Sequence, residues 1–141
     1  MQNNFSLINK TRGKTPRVPF DKIKDAVLGP KYELSLAFIP PAQMLEITRR
    51  TKRKDHVSNV LSFPLSKTSG EILICPRAAE PFSVEYLFIH GLFHLKGLKH
   101  GATMERNERE VLARFVSYGK DRNGNRRRHL PGQGSHSRAA R

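Results

Sequence analysis

Eleven residues, His90 to His100 (HGLFHLKGLKH), constrain the fold more than any other stretch. They hold three of the chain's six histidines, spaced His-x3-His-x5-His with Gly97 inside the second gap. A helix advances ~100° per residue, so residues four apart stack on one face. A helix over 84–96 therefore presents His90 and His94 on the same side. Gly97 can then end it, because glycine enters the left-handed backbone region without a Cβ clash. A turn there brings His100 back toward the pair. Three neutral imidazoles meeting at one point, with a fourth position open, make the ligand set of a catalytic zinc site. One zinc ion is the expected cofactor, and another divalent transition metal also suits imidazole ligands.

The residues between the histidines sharpen this expectation. Val84, Leu87, Phe88, Leu92 and Leu95 form one apolar stripe, with Ile89 and Phe93 roughly opposite. A helix apolar on nearly every side lies at the centre of a domain. A histidine pair placed there needs a partner, since unsatisfied buried polar groups cost free energy. A metal supplies one, and hydrogen bonds to carbonyls are the competing explanation. The same histidine spacing occurs in metzincin peptidases, where the second residue is the glutamate base. Here that position is Gly91.

The rest of the chain reads as a small α+β domain. Residues 5–8 suggest a strand, and NKTRGKTPRVP a polar, basic loop. Phe20, Ile23, Val27 and Leu28 recur at helical spacing, which predicts a helix over 20–28 ended by Gly29-Pro30. Tyr32, Leu34, Leu36 and Phe38 alternate, which predicts a strand over 32–39. A short helix over 42–52 places Met44, Leu45 and Thr48 on one side and runs into Arg49, Arg50, Lys52, Arg53 and Lys54. That cluster is either a solvated loop or a phosphate-contacting patch. Strands over 57–65 and 71–75 are expected to pair as a hairpin around Thr68-Ser69-Gly70. Pro64 marks a strand end or an edge position. Ser83 can cap the histidine helix, and a last helix spans 103–117 with Thr103 near its start. The expected architecture is a mixed sheet of about four strands packed with helices, its buried central helix carrying the first two ligands.

Charge restricts the partners. Lys and Arg number 26 against 12 Asp and Glu, a net +14. Such a chain attracts polyanions through counterion release. From Gly119 onward, seven basic residues accompany one acidic residue, and Leu130 is the only large apolar side chain. Residues 119–141 are therefore expected to be a disordered basic tail, either an RNA-binding arm or a solubilising extension, behind a domain of residues 1–118. No apolar run is long enough for a membrane span, and no signal-peptide core is seen at the N-terminus. Cys75 is the only cysteine and lies in an apolar run, which fits a reducing cytoplasm and a buried thiol.

Three blocks in order resemble the YbeY endoribonuclease family of bacterial rRNA maturation factors. KDHVSNVLSFP (Lys54 to Pro64) is similar to the family's K-D-x-x-T-[ND]-V-L-S-F-P. GEILICP (Gly70 to Pro76) is similar to G-D-I-x-I-C-P, and the histidine stretch to H-G-x-L-H-L-x-G-Y-D-H. The resemblance implies an α+β fold and a metal, usually taken as zinc, on His90, His94 and His100. It implies cleavage of single-stranded RNA in 3′-end processing of small-subunit rRNA and in ribosome quality control. The family's arginine before the K-D pair falls on Lys52, and its glycine on Arg53. Lysine keeps a point charge but not the two-donor guanidinium fork. Lys99 stands where the family has an aspartate, and the link from Pro76 to the histidine helix is short for the family.

Three functions compete. The first is a metal-dependent endoribonuclease with Lys52 and Arg53 as catalytic cations and Arg49, Arg50 and Lys54 contacting RNA. The second is a non-catalytic assembly factor of the small ribosomal subunit, holding rRNA around a structural zinc. The third, a metallopeptidase, lacks its glutamate. No general base is identified, although Glu105 and Glu108 lie within a turn or two of His100 in sequence.

Overall fold

A computed structural model of the chain describes residues 4–115. The expected tail, the domain boundary at 118 and the last residues of the predicted final helix lie outside them. Four strands, β1 (Phe5–Asn9), β2 (Glu33–Phe38), β3 (Val60–Ser66) and β4 (Ser69–Ile74), form one sheet in the order β1-β2-β4-β3. β1 pairs parallel to β2 and β2 parallel to β4, while β3 runs antiparallel to β4. Four helices accompany them: α1 (Phe20–Leu28), α2 (Pro41–Lys52), α3 (Val84–Lys96) and α4 (Ala102–Phe115).

Strand alternation divides the core between the two faces of the sheet. Leu34, Leu36 and Phe38 of β2 and Ile72 and Ile74 of β4 pack with Phe20, Ile23 and Val27 of α1 and with α3. Leu61, Leu73 and Cys75 turn to the other face, where Ile39 and Met44 join them and Ile47 packs alongside. α3 is the central helix, with Tyr86 through Phe93 all buried. It packs against α1, α4, β3 and β4. Ile72, opposite the middle of β2, and Leu87 of α3 are both fully buried.

The helix signals operate where the residue chemistry places them. The Ser83 hydroxyl caps α3 by accepting from the Tyr86 amide at 3.0 Å. Gly97 ends α3 at φ 103°, its amide donating to the His94 carbonyl and that of Leu98 to the Phe93 carbonyl. This bond pair is a Schellman cap. The hairpin turns at Lys67-Thr68, slightly before the expected Thr68-Ser69-Gly70, because Ser66 and Ser69 are already paired. Pro64 sits on β3, an edge strand, beside a shift in register. The final helix begins at Ala102, one residue ahead of Thr103, because the Gly101 carbonyl accepts the Glu105 amide.

Candidate metal centre

α3 and its cap deliver three imidazoles to one place. His90, His94 and His100 each offer a ring nitrogen, and these nitrogens lie within 4.8 Å of one another. Their ring centroids are 4.5 to 5.0 Å apart. His90 is buried, His94 half-buried and His100 exposed, so the cluster opens outward through its third member.

Hydrogen bonds on the far side of the rings fix which nitrogens face inward. His90 Nδ1 donates to Glu108 Oε2 at 2.6 Å, and His94 Nδ1 donates to the Leu98 carbonyl at 3.2 Å. Both partners are acceptors, so both rings carry their proton on Nδ1. The two Nε2 atoms then bear lone pairs, and they face each other at 3.1 Å. Two lone pairs at that distance repel, and a cation between them removes the conflict. Tetrahedral ligands at Zn–N distances of ~2.0–2.1 Å sit about 3.3 Å apart, close to the spacing found. The donor set thus fits a transition-metal ion.

Glu108 is the residue that sequence reasoning left unassigned. It is 1% exposed and comes from α4. Tyr86, one turn before His90, hydrogen-bonds the same carboxylate, and burial followed by the Glu108 charge pushes its hydroxyl well above the usual range. Tyr86 therefore stays protonated and donates. Oε1 of Glu108 finds no hydrogen-bond partner among the described residues. The signal was present in the sequence: Glu108 sits four residues after Met104 and four before Leu112, both buried. A carboxylate on the apolar stripe of a helix needs a buried donor.

The cations predicted for catalysis separate. Lys52 lines a cavity of about 510 Å³ together with Ser62, His94, Leu98, Lys99 and His100. Arg53 is exposed at the end of α2 in the left-handed conformation, φ 57°, and does not line that cavity. Arg49 pairs with Asp55 at 2.6 Å and Arg50 with Glu46 at 3.9 Å, both on the surface. Lys54 is exposed. Lys99 puts a second lysine on the metal cavity.

Gly91, at the position of the peptidase glutamate, faces Ser62, a lining residue of the cavity, and Ile72. A Cβ there would lie 2.9 Å from Ser62 Oγ and 3.1 Å from Ile72 Cδ1. A glutamate there would first have to displace these two side chains, where α3 packs on β3 and β4.

A helix-borne histidine pair, a third histidine after a glycine cap and a mixed four-stranded sheet define an α+β domain with a candidate three-histidine metal centre. The family model of endoribonuclease YbeY matches residues 17–116, and the chain belongs to that family. An endoribonuclease YbeY of Rubrobacter xylanophilus is 39% identical over 80 residues, covering 54% of this chain and 58% of that protein. That of Clostridioides difficile is 30% identical over 122 residues, covering 64% of this chain and 80% of that protein. The chain thus spans less than two thirds of the length of the Rubrobacter relative. The solution structure of Thermotoga maritima TM1509 shares the fold, with a TM-score of 0.53 at 16% identity over 77% of this chain and 86% of that one. Among the described residues, no helix is long and apolar enough to cross a membrane.

Proposed function

We propose that this chain is a metal-dependent endoribonuclease that cuts single-stranded RNA during maturation of the 3′ end of small-subunit rRNA. The observation that carries this reading is the convergence of three imidazoles, two of which, His94 and His100, line a cavity whose other charged residues are Lys52 and Lys99. His90, His94 and His100 would hold the ion, zinc being the best match to an all-imidazole set. The ion would supply Lewis acidity to an oxygen in the cavity. The remaining work falls to the protein. Glu108 and Tyr86 hold the His90 ring with its Nε2 directed inward. The Leu98 carbonyl does the same for His94. Lys52 and Lys99 neutralise charge that develops on the phosphate oxygens. An all-neutral ligand set keeps the centre positive, which suits a phosphodiester.

Arg53 and Lys54, both exposed, would meet the RNA beyond the cavity, Arg49 and Arg50 would do so only by releasing Asp55 and Glu46, and the seven basic residues of 119–141 would add to the attraction. Ribosome quality control and residence in the cytoplasm belong to the same reading. The test is cleavage of a labelled single-stranded RNA with and without chelator. Chelator-sensitive cutting supports the enzyme. Tight RNA binding with no cutting at any metal concentration supports the assembly-factor reading instead.

A further inference from the structure

The metal cavity is not the only cationic recess. A second one, about 640 Å³, is lined by Lys10, Thr11, Arg12, Gly13, Pro40, Pro41, Pro76 and Arg77. Lys10 follows β1, Pro40 follows β2 and Pro76 follows β4. The recess therefore lies at the carboxyl ends of the three parallel strands, where open sheets with parallel strands place their ligands. Its walls are three half-buried prolines, and its charged side chains are all positive. No carboxylate lines it, and no ion pair involves Lys10, Arg12 or Arg77 among the described residues.

The basic wall is built, not loose. Asn9 Oδ1 accepts from the Thr11 amide at 2.9 Å and from the Thr11 hydroxyl at 2.6 Å. Asn9 Nδ2 donates to the Gly13 carbonyl and to Thr15 Oγ1, each at 3.0 Å. The Lys10 amide is tied to the Phe38 carbonyl at 2.8 Å. One asparagine thus holds the loop that carries Lys10 and Arg12 against the end of the sheet. Gathering three like charges around one recess costs repulsion unless an anion occupies it.

We propose that this recess is a second RNA site, which binds backbone phosphates of the strand being cut and seats a base or ribose on the proline faces. This inference rests on the RNA reading given above. Pro41 and Lys52 are the first and last residues of α2 and line the two cavities. At ~1.5 Å per residue the helix separates them by about 17 Å. That is about five nucleotides at the ~3.4 Å stacked rise. A strand that reaches both sites is longer than this, and a shorter one reaches a single site.

The test uses the full chain in chelator, so that the strand stays intact, and fluorescence anisotropy of labelled single-stranded RNAs of about three and about twelve nucleotides, chosen either side of that span. The variant carries Lys10→Ala, Arg12→Ala and Arg77→Ala, all at exposed positions. Its affinity for the long strand is expected to fall about tenfold, and its salt slope to fall by about 2, at ~0.7 for each phosphate that is no longer neutralised. The short strand, which either site holds alone, loses far less, no more than about twofold, because the metal cavity still takes it. Arg77→Lys, in an otherwise unchanged chain, retains most of the long-strand affinity. Equal losses for both strands, or none for either, overturn the proposal. A polyglutamate of matched charge that loses affinity by the same factor as the long strand assigns the recess to an acidic peptide and also overturns it. Failure of the wild-type chain to bind the long strand at all would instead sink the RNA reading on which this inference depends.

Discussion

The imidazole of His90 donates through Nδ1 to the buried carboxylate of Glu108 at 2.6 Å. The bond joins α3 to α4 and sets the tautomer of the deepest histidine in the cluster. Partners of this kind hold ligand rings in place, and losing one typically costs 10–100-fold in metal affinity. Glu108→Gln is expected to weaken zinc binding by about that factor while the fold remains. Competition with a chromophoric chelator measures it. Unchanged affinity would make Glu108 a structural residue only.

Gly91 gives a prediction about stability. Gly91→Ala must push Ser62 and Ile72 aside, since the new Cβ meets them at 2.9 and 3.1 Å. Overpacking of this sort costs about 1–3 kcal/mol. Urea denaturation should show that loss, and Gly91→Glu should yield no folded protein. A Gly91→Glu chain that folds and hydrolyses casein would revive the peptidase reading.

The parts of this molecule legible in its sequence are those set by one residue acting locally. Gly97 had to leave the helix, Ser83 had to cap it, and the alternation of Leu34, Leu36 and Phe38 had to face one way; each does. The His90, His94 and His100 convergence was legible for the same reason, as two residues one turn apart and a third after the cap. What was not legible depended on which elements become neighbours. Glu108 meets His90 only because α4 folds back along α3. Lys10, Arg12 and Arg77 share a recess only because β1 and β4 flank β2. The basic run at 49–54 is continuous in sequence, yet Asp55 and Glu46 pair with two of its arginines and Arg53, at the left-handed turn, does not line the metal cavity.

Arg53 carries a backbone cost. A non-glycine residue in the left-handed region, here at φ 57°, is disfavoured by roughly 1–2 kcal/mol. Arg53→Gly is expected to raise stability by about 1 kcal/mol. Thermal unfolding of variant and parent checks it. A parallel cleavage assay reads the contribution of the lost charge, and Arg53→Lys separates charge from backbone.

Cys75 is buried, and burial pushes its thiol above the ordinary value of 9.0, with backbone hydrogen bonds from Ala78 and Arg77 offsetting part of the rise. An acid with a raised pKa in the folded state stays protonated there while the unfolded chain ionises. Its contribution to stability is complete below the unfolded pKa and is lost as pH rises above it, so stability should decline above about pH 9. At pH 8 the native thiol should resist a maleimide and react fully in urea. Rapid modification of the native protein would contradict its burial.

The central claim is tested most directly by measuring metal content and single-stranded RNA cleavage on the same preparations of wild type and His94→Ala. The wild-type chain should carry about one zinc or equivalent ion per chain, as a three-histidine centre requires, and should cut RNA. Chelator should abolish cutting, and added zinc should restore it. His94→Ala should lose both ion and activity and regain neither on zinc addition. A His94→Ala protein that holds no metal and still cuts RNA at the wild-type rate would contradict the account.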